Sequence, residues 1–210
     1  MNTCYIFGAA EGLPEKLEKE NGDLIIAADA GFLHLEALGI KPDIALGDFD
    51  SLGRVPECKE IIRHPVKKDD TDTMLAVKTG FERGYKRFVL YGCAGKRLDH
   101  TIANIQTLYY IANRGGEGYI CGEDFTATAL KNGKITFTDS AKGNISLFAA
   151  TSKAEKINIK GLLYELEKEV ISYDFPLGVS NEFIGKKARI EVGDGMVLIV
   201  WSGKLDWALK

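Results

Sequence analysis

The sequence predicts two domains: a Rossmann-like α/β domain with a parallel sheet in residues 1–122, and an all-β domain in residues 123–210. In the first part, short apolar runs of strand length alternate with amphipathic stretches of helical period. This alternation is typical of βαβ units, whose parallel sheet is covered on both faces. In the second part, short segments of alternating polar and apolar residues are separated by Gly, Asn and Asp. That pattern favours an antiparallel sandwich or barrel.

Each predicted element follows from one of these patterns. The apolar runs predict strands at 4–7, 24–28, 44–46, 61–63, 88–91 and 119–121. Helical spacing predicts helices at 32–38, 73–82 and 102–112. Period-two alternation predicts five further strands, at 134–138, 144–148, 156–159, 188–192 and 196–201. Residues 162–170 fit either a helical turn or a strand.

Composition and charge exclude several classes of protein. The chain has 210 residues, of which 45% are hydrophobic, and a net charge of −3, which disfavours disorder and nucleic-acid binding. No apolar run approaches the roughly 18 residues of a membrane helix, and we expect no signal peptide. The four cysteines have no C-x-x-C spacing, so we expect buried thiols in a reducing, cytoplasmic compartment.

Acidic loops follow four of the predicted strands, at residues 29–31, 47–51, 67–72 and 92–100. Because ligands bind outside the carboxyl ends of parallel strands, we expect these loops to share one edge of the sheet. Carboxylates gathered there repel one another unless a cation neutralises them, and oxygen ligands suit a hard ion, Mg²⁺ first. Lys68, Lys96 and Arg97, with Gly92 and Gly95, would meet the phosphates that accompany such an ion.

This combination indicates Mg²⁺-nucleotide phosphoryl chemistry, although each part also has a purely structural interpretation. Asp99 is suited to capping the third helix, and Thr71 or Asp72 to capping the second. Asp48 and Asp50 are compatible with a solvated turn. P-loop NTPases and dinucleotide oxidoreductases are disfavoured, because the chain has no G-x-x-x-x-G-K-[ST] and no G-x-G-x-x-G after the first strand.

Three separated motifs resemble those of the thiamine pyrophosphokinase family. They are residues 47–51 (GDFDS), 68–72 (KDDTD) and 95–100 (GKRLDH). Further matches at 25–31, 161–164 and 178–182 extend the resemblance from about residue 4 to about residue 200. Three motifs in the same order with compatible spacing are much more specific than any one of them.

The resemblance implies an ATP-binding α/β domain, a thiamine-binding β-sandwich domain, and a homodimer with active sites between its subunits. The implied reaction transfers a diphosphoryl group from ATP to the thiamine hydroxyl, giving thiamine diphosphate and AMP, with Mg²⁺ as the cofactor. Two alternatives stay open. One is a pterin pyrophosphokinase with a similar acidic loop, and the other is a phosphatase that uses an aspartate nucleophile.

The resemblance also implies roles for individual residues. Asp48, Asp50 and Asp72 match Mg²⁺ ligands, and the implied catalytic residues are Asp72, Arg97 and Asp99, with Asp99 orienting or deprotonating the hydroxyl. The implied nucleotide-binding residues are Asp29, Ser51, Lys68, Asp69, Thr71, Gly95, Lys96 and His100. Ser180 and Asn181 match the segment that faces thiamine. Trp201 does not align with the aromatic residue that stacks on thiamine in some members, so the sequence identifies no stacking partner.

Overall fold

The computed structural model of the chain describes residues 1–49, 57–63, 69–95 and 97–205. It divides into two compact units, Met1–Glu123 and Asp124–Lys210. The predicted residues Asp50, Ser51, Lys68 and Lys96 lie outside the described residues. Within the described residues, no helix is long and apolar enough to cross a membrane.

The first unit is an α/β unit. Its elements, in the part of the chain that the structure describes, are β1 (Thr3–Phe7), β2 (Leu24–Ala28), α1 (Gly31–Ala37), β3 (Ile44–Gly47), β4 (Glu60–Arg63), α2 (Asp72–Glu82), β5 (Arg87–Tyr91), α3 (Leu98–Asn113) and β6 (Glu117–Cys121). Every strand and helix predicted for this region is therefore confirmed, with ends that differ by a few residues. The largest difference is at α3, which begins at Leu98 instead of residue 102.

The strands of this unit follow the order β4-β3-β2-β1-β5-β6, and neighbouring strands are parallel. The central strands are buried along almost their whole length; all five residues of β2 are buried. Burial on both faces is the reason why these strands appear in the sequence as continuous apolar runs. The predicted parallel sheet is thus confirmed.

The starts of α2 and α3 show which of the predicted side chains cap these helices. Thr71 is the N-cap of α2, and its Oγ1 accepts a hydrogen bond of 3.2 Å from the amide of Met74. The N-cap position of α3 is Arg97, which makes no side-chain cap hydrogen bond, and Asp99 lies inside the first turn. Asp99 therefore does not occupy the N-cap position of α3.

The second unit is an all-β unit. Its described strands are β7 (Phe125–Lys131), β8 (Lys134–Phe137), β9 (Asn144–Ala149), β10 (Lys153–Lys160), β11 (Leu166–Ser172), β12 (Gly178–Glu182), β13 (Ala188–Glu191) and β14 (Met196–Ser202). The five strands predicted here are confirmed, and residues 162–170 form a loop followed by β11. The sequence patterns did not predict β7 or β12.

Within this unit the strands pair antiparallel in the orders β12-β9-β14-β7 and β11-β10-β13-β8. Side chains of the two groups pack together: the ring of Phe137, on β8, lies 5.3 Å from that of Trp201, on β14. The two sheets therefore pack against each other through their inner faces, which makes the unit a sandwich instead of a closed barrel.

The packing of α1 against β1 gives a test of the fold. A Cβ at Gly31 would overlap the carbonyl oxygen of Phe7, whereas a Cβ at Gly39, where φ is +68°, would meet nothing within 4 Å. We expect Gly31→Ala to lower the free energy of unfolding by about 3 kcal/mol or more, and Gly39→Ala by about 1 kcal/mol. Urea denaturation of both variants measures this, and equal losses would contradict the close contact.

Candidate functional site

The strand order places a branch point of the sheet between β1 and β5. From β1 the chain continues to β2 on one side, and after β4 it crosses back through α2 to β5 on the other side. The two loops that follow β1 and β5 therefore begin next to each other. The amide of Gly8 donates to the carbonyl oxygen of Tyr91, and the amide of Ala10 donates to that of Gly92, both at 2.8 Å. Such branch points are where ligands bind in open α/β sheets.

Two glycines allow these loops to touch. A Cβ at Gly8 would lie 2.5 Å from the carbonyl oxygen of Gly92, and a Cβ at Gly92 would overlap the carbonyl oxygen of Gly8. Gly92 also has a φ of +63°, which L side chains rarely adopt. Any larger residue at either position would push the loops apart and change the edge of the sheet.

A cavity of about 600 Å³ opens at this edge, a size typical of small-molecule sites. It is lined by the loops after β1, β2, β3 and β5 and by the starts of α2 and α3. Among the sequence-predicted site residues, the cavity brings together Asp29, Asp48, Thr71, Asp72, Gly95, Arg97 and His100. The predicted acidic edge is thus a single cavity.

Several predicted residues do not line this cavity. Asp69 is exposed to solvent, and Asp99 is two-thirds exposed; neither is among the lining residues. Ser180 and Asn181 belong to β12 of the second unit. The cavity also has lining residues that the sequence did not single out, namely Gly8, Ala9, Ala10 and Glu11 after β1, with Asp70, Thr101 and Asn104.

The backbone of the acidic loops after β2 and β3 is held in place by a hydrogen bond and by packing in the core. Asp29 has a φ of 47°, and its amide donates to the carbonyl oxygen of Leu46 at 2.7 Å. Phe49, directly after Asp48, has a φ of 60° yet is 95% buried, and it packs in the same cluster as Phe7 and Leu35. A positive φ is unfavourable for a bulky residue, so burial of the Phe49 ring is what holds this turn. Asp48 is therefore positioned by the hydrophobic core beneath it.

Side chains of α3 tie down the loop that follows β5. The Nδ2 of Asn104, which is 94% buried, donates to the carbonyl oxygen of Cys93 at 2.7 Å. The Oγ1 of Thr101 accepts from the amide of Gly95 at 3.2 Å. The loop is therefore held against the N-terminal end of α3, where backbone amides and the helix dipole favour an anion such as phosphate.

Cys93 lines the cavity wall but is not suited to act as a nucleophile. Its thiol is buried, and burial raises its pKa to about 12. A thiol with that pKa stays protonated at neutral pH, and the thiolate is the reactive form. Cys4 and Cys121 are also buried, in agreement with the buried thiols predicted from the sequence, whereas Cys58 is only half-buried.

Basic side chains partly neutralise the acidic edge. The Nζ of Lys78 lies 2.6 Å from Oδ2 of Asp70, and this hydrogen bond raises the pKa of the Lys78 ammonium group. Arg97 makes two contacts with Asp99, Nη2 to Oδ2 at 2.6 Å and Nε to Oδ1 at 3.3 Å. The Arg97 hydrogen bond holds the pKa of the Asp99 carboxyl below its ordinary value. Asp99 is therefore ionised at neutral pH, and it is a weaker base than an ordinary aspartate.

The donor set of the cavity suits a hard divalent ion. Asp29, Asp48, Asp70 and Asp72 all contribute to the lining, and carboxylate oxygens are the ligands that Mg²⁺ prefers. Within the described ranges, which leave out Asp50, no three acidic, His or Cys side chains form a group close enough to hold a metal. The chemistry of the lining fits Mg²⁺, while the described residues alone do not make a complete metal site.

Comparison with known proteins identifies relatives over nearly the whole chain. Residues 16–120 match the family model described as thiamin pyrophosphokinase, catalytic domain, and residues 133–197 match thiamin pyrophosphokinase, vitamin B1 binding domain. The chain is 26% identical over 186 residues to thiamine pyrophosphokinase of Bacillus subtilis, covering 85% of this chain and 87% of the relative. It is 25% identical over 198 residues to thiamine pyrophosphokinase 1 of Oryza sativa, covering 86% of this chain and 69% of the relative.

Solved structures show the same fold. The crystal structure of thiamine pyrophosphokinase from Bacillus subtilis has a TM-score of 0.83 at 24% identity, and the match covers 97% of this chain and all of that one. A thiamin pyrophosphokinase family protein from Enterococcus faecalis has a TM-score of 0.81 at 25% identity, with 98% of this chain and all of that one covered. The comparisons confirm the family resemblance that the three sequence motifs indicate.

The pair formed by Arg97 and Asp99 gives a direct test of the electrostatics at this edge. We expect Arg97→Met to raise the pKa of the Asp99 carboxyl, because the guanidinium that favours the ionised form is removed. Carboxyl-carbon NMR titration of wild type and variant measures the change. Glu165 is the control, since its pKa is lowered by the amide of Gly161 and by Lys160; it should not respond. An unchanged Asp99 titration would contradict the pairing.

Proposed function

The chain belongs to the thiamin pyrophosphokinase family, and we propose that it transfers a diphosphoryl group from ATP to the hydroxyl of thiamine, giving thiamine diphosphate and AMP. The observation that carries this proposal is the pair of family matches, catalytic domain then vitamin B1 binding domain, over residues 16–120 and 133–197. The cavity in the catalytic part is large enough for a nucleotide and is lined by the groups that phosphate chemistry needs. The family match favours this reaction over pterin pyrophosphorylation and over an aspartate-based phosphatase.

In this reaction the thiamine hydroxyl oxygen attacks the β-phosphorus of ATP. The bond between that phosphorus and the oxygen bridging it to the α-phosphorus breaks, so AMP leaves and the hydroxyl proton is released. The protein's contribution is to position the two substrates and to stabilise negative charge on the phosphates.

We assign the phosphates of ATP to the loop after β5 and the start of α3. Gly95, Arg97 and His100 line this part of the cavity, and the amides at the helix start favour anions. Lys68, Asp69, Lys96 and Ser51 are assigned to the nucleotide by their motifs, and Thr71 by its place both in a motif and in the lining. Asp29, at the end of β2, is assigned to the nucleotide as well.

Asp48, Asp50 and Asp72 are the residues that would hold Mg²⁺. When bound, the ion neutralises phosphate charge and stabilises the oxygen on which charge develops as AMP leaves. The support is the carboxylate-rich lining, to which Asp48, after β3, and Asp72, at the start of α2, both contribute. Asp70 contributes charge to the same wall but is paired with Lys78, so we do not assign it to the metal.

Asp99 is proposed to orient the thiamine hydroxyl. Because the hydrogen bond from Arg97 lowers the pKa of the Asp99 carboxyl, the carboxylate is a weak proton acceptor, but it can still accept a hydrogen bond from the hydroxyl. We therefore favour an orienting role over full deprotonation before attack. Arg97 then has two tasks, since it holds Asp99 and also lines the phosphate part of the cavity.

We further propose that the two domains bind different substrates, as the family resemblance implies. Residues 1–122 form the Rossmann-like domain that binds ATP and Mg²⁺, and residues 123–210 form the domain that binds thiamine, with Ser180 and Asn181 in its thiamine-facing segment. The enzyme is proposed to be a cytoplasmic homodimer with active sites between subunits. Exposed apolar side chains of the second unit are the candidates for the subunit contact, among them Phe148, Leu177, Val179 and Ile184.

The nucleotide product tests the proposed reaction. We expect the wild-type protein, given ATP, Mg²⁺ and thiamine as the sole acceptor, to produce AMP and thiamine diphosphate in equal amounts. Asp72→Asn should lower turnover on the order of 10²-fold, because a carboxylate that would hold Mg²⁺ against the phosphates is lost, while Asp174→Asn, at an exposed position of the second unit, should not. Liquid chromatography of both products measures this. ADP with thiamine monophosphate, or phosphate without transfer, would contradict the proposal.

Replacement of Asp99 tests its orienting role. Asp99→Asn removes the charge but keeps the size of the side chain, and Asp99 is not at the N-cap position of α3. Because the ion pair of Asp99 with Arg97 is exposed, its loss should change the melting temperature little. We expect kcat to fall on the order of 10²-fold while KM for ATP stays within about twofold of wild type. Steady-state kinetics with each substrate varied separates these constants. Full activity of the variant would show that Asp99 is dispensable.

A further inference from the structure

Two aspartates at the start of α2, Asp70 and Asp72, line the same cavity. They come directly before and after Thr71, the N-cap residue, whose backbone is extended, with a φ of −70° and a ψ of 157°. Both carboxylates have the chemistry of a Mg²⁺ ligand. Their place in the cavity therefore does not explain why the ion would be held by Asp72 and not by Asp70.

Asp70 is paired with a lysine that lies outside the cavity lining. Lys78 is in the second turn of α2, and it is absent from the described residues that line the cavity. Its Nζ lies 2.6 Å from Oδ2 of Asp70, and the two side chains are 36% and 33% exposed. A contact this short between opposite charges is a charge-assisted hydrogen bond. The pair thus ties the Asp70 carboxylate to α2.

A second cation close to Lys78 has a different partner. Arg114, at the end of α3, acts electrostatically on the Lys78 ammonium group, and its Cζ lies 3.5 Å from the centre of the Tyr110 ring. A cation–π contact of this kind favours the guanidinium where it is. Because like charges repel, Arg114 also disfavours any shift of Lys78 towards it. Lys78 therefore stays the partner of Asp70, while Arg114 packs on Tyr110.

Pairing with Lys78 changes what Asp70 offers to a divalent ion. An ammonium group at one carboxylate oxygen offsets the charge of that carboxylate and would repel a Mg²⁺ ion bound to it. Affinity for a divalent ion follows the number and the charge of its ligands. We propose that Lys78 is a positioning residue that withholds Asp70 from the ion, so that Asp72 is the ligand from the start of α2. This role of Lys78 rests on the proposed function and its metal assignment.

The same pair limits the negative charge that the cavity presents to ATP. Asp29, Asp48, Asp70 and Asp72 all line the cavity, and carboxylates without a cation beside them repel a polyphosphate. Lys78 therefore acts in opposite directions on the two ligands, because it weakens the binding of free Mg²⁺ and strengthens the binding of the nucleotide. Loss of a purely structural contact would instead weaken both.

Metal binding and kinetics of the full-length protein test this role. Mn²⁺ serves as the probe, because it takes the same oxygen ligands as Mg²⁺ and its EPR signal distinguishes free from bound ion. We expect Lys78→Met to lower the Kd of the nucleotide-free protein for Mn²⁺ about fivefold, and to raise KM for ATP about threefold at saturating Mg²⁺. Lys78→Arg, which keeps the charge at this position, should leave both constants within about twofold of wild type.

Arg83→Met is the matched control. Arg83 is at the other end of α2, and its Nη2 lies 2.6 Å from Oε1 of Glu60, in a pair whose side chains are 38% and 44% exposed. The variant removes the same charge and an ion pair of the same length, so both variants should lose little stability in thermal melting. Of the two, Lys78→Met alone should change the Kd for Mn²⁺. If it fails to fold, Lys78→Gln takes its place.

Replacement of Asp70 shows whether the effect runs through this carboxylate. Combined with Lys78→Met, Asp70→Asn should return the Kd for Mn²⁺ to within about twofold of wild type. Asp69→Asn, which removes the same charge from the neighbouring exposed residue, should not. The tighter binding of Lys78→Met should also persist in about 0.5 M KCl, where the field of an exposed charge is screened. Tightening that Asp69→Asn or salt abolishes would overturn the positioning role, because it would come from net charge alone.

The outcomes separate this role from the function on which it rests. An unchanged or higher Kd for Mn²⁺ in Lys78→Met, in an enzyme that makes thiamine diphosphate, overturns the inference and leaves the proposed function intact. A wild-type protein that binds no Mn²⁺ overturns the inference together with the metal assignment. If the Mn²⁺ results are as expected but no thiamine diphosphate forms, the proposed reaction is overturned and the role of Lys78 at the metal stands.

Discussion

The candidate site depends on the close approach of two backbones at the ends of β1 and β5. Gly8 and Gly92 face each other there, and neither position has room for a Cβ. Because the loops are joined by two backbone hydrogen bonds of 2.8 Å, their amides and carbonyl groups are fixed relative to the sheet. The acidic loops of β2 and β3 and the starts of α2 and α3 then surround this contact. A cavity for a phosphorylated ligand follows from the strand order and from two glycines.

Charge is distributed around that contact in a way that suits a polyphosphate. Carboxylates from the loops after β1, β2 and β3 and from the start of α2 line the wall. Two of the local acids, Asp70 and Asp99, are paired with Lys78 and Arg97. These pairs hold both carboxylates beside a basic side chain. The buried ring of Phe49 and the amide of Asn104 support the wall from the core side. Positioning by the fold is therefore the main contribution of this chain to phosphoryl transfer.

Most of the fold was predictable because burial leaves a simple pattern in the sequence. Strands such as β2 are buried on both faces and appear as apolar runs. β7 and β12 were missed for physical reasons: the buried positions of β7 include Thr126 and Thr128, and β12 is short, has a bulge and buries Asn181. Asp29, Asp48 and Asp72 were predictable from the loops and the helix start they occupy. Gly8, Ala9 and Ala10 were not, because small side chains carry no chemical signature and only the strand order places them, with Glu11, at the branch point.

Binding of a nucleotide at the branch point is the central claim, and backbone amide NMR tests it most directly. The ligand is α,β-methylene-ATP with Mg²⁺, which cannot undergo cleavage between the α- and β-phosphorus atoms. The account predicts that titration shifts the amide signals of residues 8–11 and 92–95 first and most strongly, together with Thr101 and Asn104. Shifts that leave both of these loops unchanged and occur elsewhere in the chain would contradict it.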